Sequence, residues 1–78
     1  MYQVGNRIFV KTVGDSMYTG EIINAGSPGL AGQFLTVRLD VPRWIEGRRG
    51  YWQRTITLRA ATNEADAMWY RTRVRLLS

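Results

Sequence analysis

Apolar and polar residues alternate with a period of two along most of this chain. From Phe34 to Val41, the residues Leu35, Val37, Leu39 and Val41 fall on one side, and Phe34, Thr36, Arg38 and Asp40 on the other. Strict alternation of this kind is the pattern of a half-buried strand. Tyr51 to Ala60 repeats it, with Trp52, Arg54, Ile56 and Leu58 opposed to Tyr51, Gln53, Thr55, Thr57 and Arg59. Arg7 to Thr12 predicts a first strand, placing Ile8 and Val10 on one face and Arg7, Phe9 and Lys11 on the other. Met17 to Asn24 predicts a second, with Gly20 at its middle, where glycine marks a bulge, a bend or a close backbone approach. Arg71 to Leu77 predicts the last, with Thr72, Val74 and Leu76 set against Arg71, Arg73 and Arg75. The expected core is Ile8, Val10, Ile22, Leu35, Val37, Leu39, Trp52, Ile56, Leu58, Val74 and Leu76.

The breaks between these segments are turn-like. Val13-Gly14-Asp15-Ser16 reads as a turn and Gly26-Ser27-Pro28-Gly29-Leu30-Ala31-Gly32 as a loop. The second is not a phosphate-cradling P-loop, because no Lys-Ser/Thr pair follows it and a strand, not a helix, comes next. Pro42 is expected to end the third strand, since it has no N–H to give to a ladder and restricts the residue before it. Thr62 to Met68 is the one helical stretch, with Asn63 as its cap and Glu64 and Asp66 in the first turn. Trp69 and Tyr70 follow it and are expected to plug an open end of the core.

Five short strands separated by turns predict an all-β fold, a small barrel or sandwich, forming one domain over residues 1–78. The element order, with a short helical turn before the closing strand, resembles the SH3-like barrel superfold. The opening Val4-Gly5-Asn6-Arg7-Ile8-Phe9-Val10, followed by Tyr18-Thr19-Gly20-Glu21-Ile22, resembles the entry of Tudor- and KOW-type barrels. The resemblance spans the chain in element order. It implies a five-stranded SH3-like barrel with one short helical turn before the last strand, and no particular activity.

Composition narrows how such a fold could be stabilised. Cysteine and histidine are both absent, so neither a disulfide nor the usual ligands of a structural zinc are at hand. A 78-residue chain buries a thin core, which makes self-association into a homo-oligomer a plausible support. No apolar run approaches a bilayer span and Met1 to Gly5 do not read as a secretory signal. The expectation is a cytoplasmic protein with no membrane contact and no cofactor.

Charge changes the picture further. The net charge is +5 and ten of the eleven cations are Arg, whose planar fork suits phosphate and carboxylate and stacks on flat rings. Residues 1–37 are balanced, whereas residues 38–78 carry nine Arg against four acids. Arg71, Arg73 and Arg75 share a strand face, and Arg59 on the preceding strand is expected to join them. Such a face either follows a nucleic-acid backbone or is the solvated outside of a small barrel. The segment from Pro42 to Trp52 interleaves Arg43, Arg48 and Arg49 with Trp44, Tyr51 and Trp52. Rings stack unpaired bases while Arg holds phosphates, and the same residue types anchor protein contacts. Tyr18 and Phe34 are a further candidate, as an exposed aromatic pair on neighbouring strands.

Catalysis finds little support. Without His or Cys the Ser–His and Cys–His pairs cannot be built, and no two carboxylates are spaced as an acid–base pair. The type II dihydrofolate reductases are SH3-like barrels with a pore site, but their Val-Gln-Ile-Tyr strand has no match here. The expected function is non-enzymatic nucleic-acid binding, to DNA or RNA. Arg48, Arg49, Arg59, Arg71, Arg73 and Arg75 would contact phosphates, and Trp44 and Tyr51 would stack or pack. The alternative is a protein-interaction or assembly module of a phage or mobile element, meeting an acidic protein surface or self-associating.

Overall fold

A computed structural model describes residues 2–12, 16–29, 32–45, 47, 49–61 and 73–77. They form one antiparallel sheet of five strands: β1 (Arg7–Lys11), β2 (Met17–Ala25), β3 (Gln33–Ile45), β4 (Tyr51–Ala60) and β5 (Arg73–Leu76). The order across the sheet is β4-β3-β2-β1-β5. Consecutive segments therefore pair as a meander from β1 to β4, and β5 returns to the free side of β1. The all-β expectation holds. The expected helical turn at 62–68 and the Trp69–Tyr70 plug lie outside the described residues.

The core forms where the inward faces of β1, β2 and β3 meet. Ile8, Val10, Ile22, Leu35, Val37 and Leu39 are buried almost completely, and Ile56, Leu58 and Val74 are partly buried against them. Register accounts for this. Ile8 sits opposite both Gly20 and Leu76, and Val10 opposite Tyr18 and Val74, so one face of three strands is apolar. A one-residue shift on β2 between Ile22 and Asn24 corrects the pleat. It lets Ile22 and Ala25, an odd number of residues apart, both face inward, and leaves Ile23 exposed. Gly20 marks a close approach: an ideal Cβ there would lie 2.4 Å from the Arg38 carbonyl oxygen and 2.7 Å from Val37 Cγ1.

Four expectations are corrected. β3 does not stop at Pro42 but runs on to Ile45. Arg38 faces Thr55 and Arg43 faces Gln53, so β3 carries three more residues across this stretch than β4. Pro42 lies inside that irregularity, where its missing N–H costs no ladder bond. The same offset turns Val41 out of line with Leu39, leaving it 75% exposed. Beyond the offset the β3/β4 hairpin continues past the core. Trp52, expected in the interior, is consequently 67% exposed although it keeps the parity of Ile56. Leu76, near the end of the short β5, is 52% exposed.

Gln33 is the buried polar side chain of the described core. Its amide accepts from the Tyr2 N–H at 3.0 Å and donates to the Tyr2 and Gly26 carbonyls at 2.8 and 2.9 Å. This ties the segment before β1 to the loop before β3. Tyr2 also reaches the last strand, donating its hydroxyl to the Val74 carbonyl at 3.3 Å.

Candidate nucleic-acid interface

The outward face of the sheet carries Arg7, Lys11, Glu21, Arg38, Asp40, Arg59, Arg73 and Arg75, and four of these pair with one another at its centre. Arg7 on β1 meets Asp40 on β3 through two hydrogen bonds, Nη1 to Oδ1 at 2.9 Å and Nη2 to Oδ2. Thr19, on the intervening β2, donates its hydroxyl to the same carboxylate at 2.7 Å. The Arg7 hydrogen bonds, and then that of Thr19, hold the Asp40 carboxyl down to about 2. Glu21 and Arg38 pair at 3.5 Å in the neighbouring row. These two pairs neutralise the centre of the face.

Cations gather again at the β1/β5 side. Arg73 stands opposite Lys11 and Arg75 opposite Phe9, so all four side chains project from the outward face of one antiparallel pair. Together with Val74 they line a cleft of about 330 Å³ in which no acidic side chain appears among the described residues. Phe9 forms the ridge between this cleft and a second, largely apolar groove of about 300 Å³, lined by Phe9, Met17, Tyr18, Thr19 and Val41. Alternation placed Phe9 and Lys11 on one face of their strand but could not place that face beside Arg73 and Arg75. That requires the β1–β5 pairing, between segments more than sixty residues apart.

The projecting hairpin lies beside the apolar groove. Arg43 anchors its base: Nε donates to Gln53 Oε1 at 3.0 Å, Nη1 donates to the Tyr18 hydroxyl at 3.2 Å, and the guanidinium carbon stands 5.2 Å from the Tyr18 ring centroid. Trp44 and Trp52 are cross-strand partners, in an edge-to-face pair with centroids 5.3 Å apart and planes at 67°. Trp44 lies directly over Gly50, where a Cβ would fall 1.9 Å from its Cζ2. Tyr51 is exposed opposite Ile45, and Arg49 is exposed in the connecting turn.

The expected site residues therefore divide. Arg73 and Arg75 come together with Lys11 and Phe9, which were not expected. Trp44, Tyr51 and Arg49 all lie on the β3/β4 hairpin, with Trp44 beside Trp52 on one face and Tyr51 opposite Ile45 on the other. Arg59 stands apart from Arg73 and Arg75 in the strand order, on β4, with its guanidinium 5.0 Å from the Phe34 ring centroid. Arg48 and Arg71 lie outside the described residues. The suggested Tyr18–Phe34 pair is not formed. Tyr18 shares the inward parity of Val10 while Phe34 faces outward opposite Arg59, and each ring takes an arginine instead. Among the described residues no three acidic side chains cluster as a metal site would need, and no helix is long and apolar enough to cross a membrane. Compared with protein-family models, curated proteins and solved structures, the chain matches none.

Proposed function

We propose that this chain is a non-enzymatic nucleic-acid-binding module built as a small SH3-like barrel. The antiparallel order β4-β3-β2-β1-β5, with the last strand returning to the first, supports the barrel architecture. One observation carries the function: Arg73 and Arg75, two apart on one strand face, line a cleft with Lys11 in which no acidic side chain appears among the described residues. Two Arg spaced along one strand face are an arrangement that follows a polyanion. Spacing supports it too. Residues two apart on a strand are separated by about 6.6 Å, which suits contacts to successive phosphates. Phosphate contacts position the ligand and do not read sequence. Arg49, with Arg48 and Arg71, would extend the contact, and Trp44 and Tyr51 would pack on the ligand from the hairpin.

The test is a salt titration of the wild type and an R73A/R75A double variant on duplex DNA, single-stranded DNA and RNA. Loss of affinity should be similar across sequences, and the slope of log affinity against log salt should fall by about one for each phosphate contact removed. Because both side chains are exposed, melting should stay near wild type. No binding to any of the three at low salt removes this reading.

A second reading, self-association or capture of another protein, is favoured by the exposed Trp44, Trp52, Met17 and Val41 at one end of the sheet. Light scattering separates the two. A stable oligomer that leaves nucleic acid unbound supports the second.

A further inference from the structure

We infer that the ligand is an unpaired polynucleotide strand, and that the groove between Phe9, Met17 and Val41 seats one of its bases while Arg73 and Arg75 hold the flanking phosphates. This inference rests on the nucleic-acid reading above and adds to it which form of nucleic acid binds and where its base goes. The two clefts share a wall, the Phe9 side chain. On one side of that ring the walls are cationic, and on the other they are mostly apolar. A nucleotide is divided in the same way, with an anionic phosphate joined to a flat, weakly polar base. A duplex cannot use both clefts, because its bases are stacked inside and only phosphates face outward. A single strand can, by turning one base over the Phe9 ridge.

The groove's volume of about 300 Å³ is at the small end for ligand clefts, which suits one ring system. Met17 and Val41 are well exposed and present apolar surface with nothing over it among the described residues. The outward polar side chain of the groove is already engaged: the Thr19 hydroxyl donates to Asp40. Few groups are left to read a base edge, so the seat should tolerate any base, as stacking on a ring does.

The experiment compares four ligands of equal length: oligo-dT, oligo-rU, an abasic single strand and a DNA duplex. Wild-type protein should bind the first two more tightly than the last two, and the two base-bearing arms show whether DNA or RNA is preferred. Phe9→Leu, which keeps apolar bulk but removes the flat face, should weaken oligo-dT and oligo-rU by roughly tenfold and leave the abasic strand and the duplex unchanged. Phe9→Trp should retain binding and show quenched emission at residue 9 on addition of either strand. Equal binding to all four ligands, with Phe9→Leu neutral, overturns the base seat and leaves phosphate binding standing. A Phe9→Leu loss that is the same on all four overturns it as well. No binding to any ligand by wild type removes the underlying reading and the seat with it.

Discussion

Replacing Gly20 by alanine tests the framework on which both clefts are mounted. The new Cβ would stand 2.4 Å from the Arg38 carbonyl oxygen and 2.7 Å from Val37 Cγ1, where ordinary contact begins at 3.4 Å. The obstacle is backbone, which cannot rotate aside as a long side chain would. Relief requires β2 and β3 to part locally by about 1 Å, at a strand spacing of about 4.8 Å, and this stretches their ladder at the centre of the core. Overpacking of this kind costs about 1–3 kcal/mol, and the rigid neighbours place Gly20→Ala in the upper half of that range. A domain of this size has roughly 4–12 kcal/mol of total stability, so the loss is a large fraction. At about 4–8 °C per kcal/mol, the midpoint of melting should fall by roughly 10–20 °C. Circular dichroism melts and urea titrations on the same protein measure it, with Gly29→Ala, where a Cβ meets nothing within 4 Å, as the control. A Gly20→Ala midpoint within about 3 °C of wild type would refute the packing of β2 against β3 described above.

Two further outcomes follow from the outward face and the hairpin. Asp40 titrates at about 2 in the folded chain against about 3.9 when unfolded. The stabilisation from its ionised form is therefore complete above about pH 4 and lost as pH falls toward 2, and Asp40→Asn should lower the urea midpoint at pH 6 by a margin that vanishes near pH 2. A margin that does not change with pH would show that the Arg7–Asp40 pair is not coupled to folding. Gly50→Ala should push Trp44 off the turn, altering tryptophan emission while costing less than about 1 kcal/mol, because the hairpin lies outside the core. If Trp44 stacks on a ligand, single-strand affinity should fall in the same variant with the salt slope unchanged. Emission identical to wild type would refute the Trp44–Gly50 contact.

Alternation located β3, β4 and β5, because side chains on a strand must choose one face or the other, and β1 was legible from its β-branched and aromatic residues. Alternation found the buried positions on β1 and most of β3 for the same reason, whereas β2, whose period breaks between Ile22 and Asn24, was legible from the turns on either side of it. Alternation failed where pairing counts, not side-chain types, set the geometry. Nothing in the residues of β3 announces that it carries three more positions than β4 between Arg38 and Arg43, and that offset is what exposes Val41 and Trp52. Pro42 was misread for a related reason: its effect depends on whether a partner needs its N–H, and here none does. At the site, the Arg73 and Arg75 face was visible as a period of two. Its neighbours Phe9 and Lys11 were not, since adjacency between β1 and β5 is a property of the sheet order and leaves no local mark. Arg59 shows the converse, with the right residue type and the right parity but a strand that pairs elsewhere.

The two walls of the cationic cleft come from distant parts of the chain, Phe9 and Lys11 from β1 and Arg73 and Arg75 from β5. While the polypeptide is being synthesised, β1 to β4 can pair as they emerge, but the cleft has only one wall until β5 has cleared the ribosome. Pairing across such a separation is slow compared with closing a hairpin. A chain clipped ahead of residue 73 would hold most of the sheet and only one wall of the cleft. On the proposed function, polyanion binding at this position would then report that β5 has docked on β1, which makes it a direct kinetic probe for that step of folding.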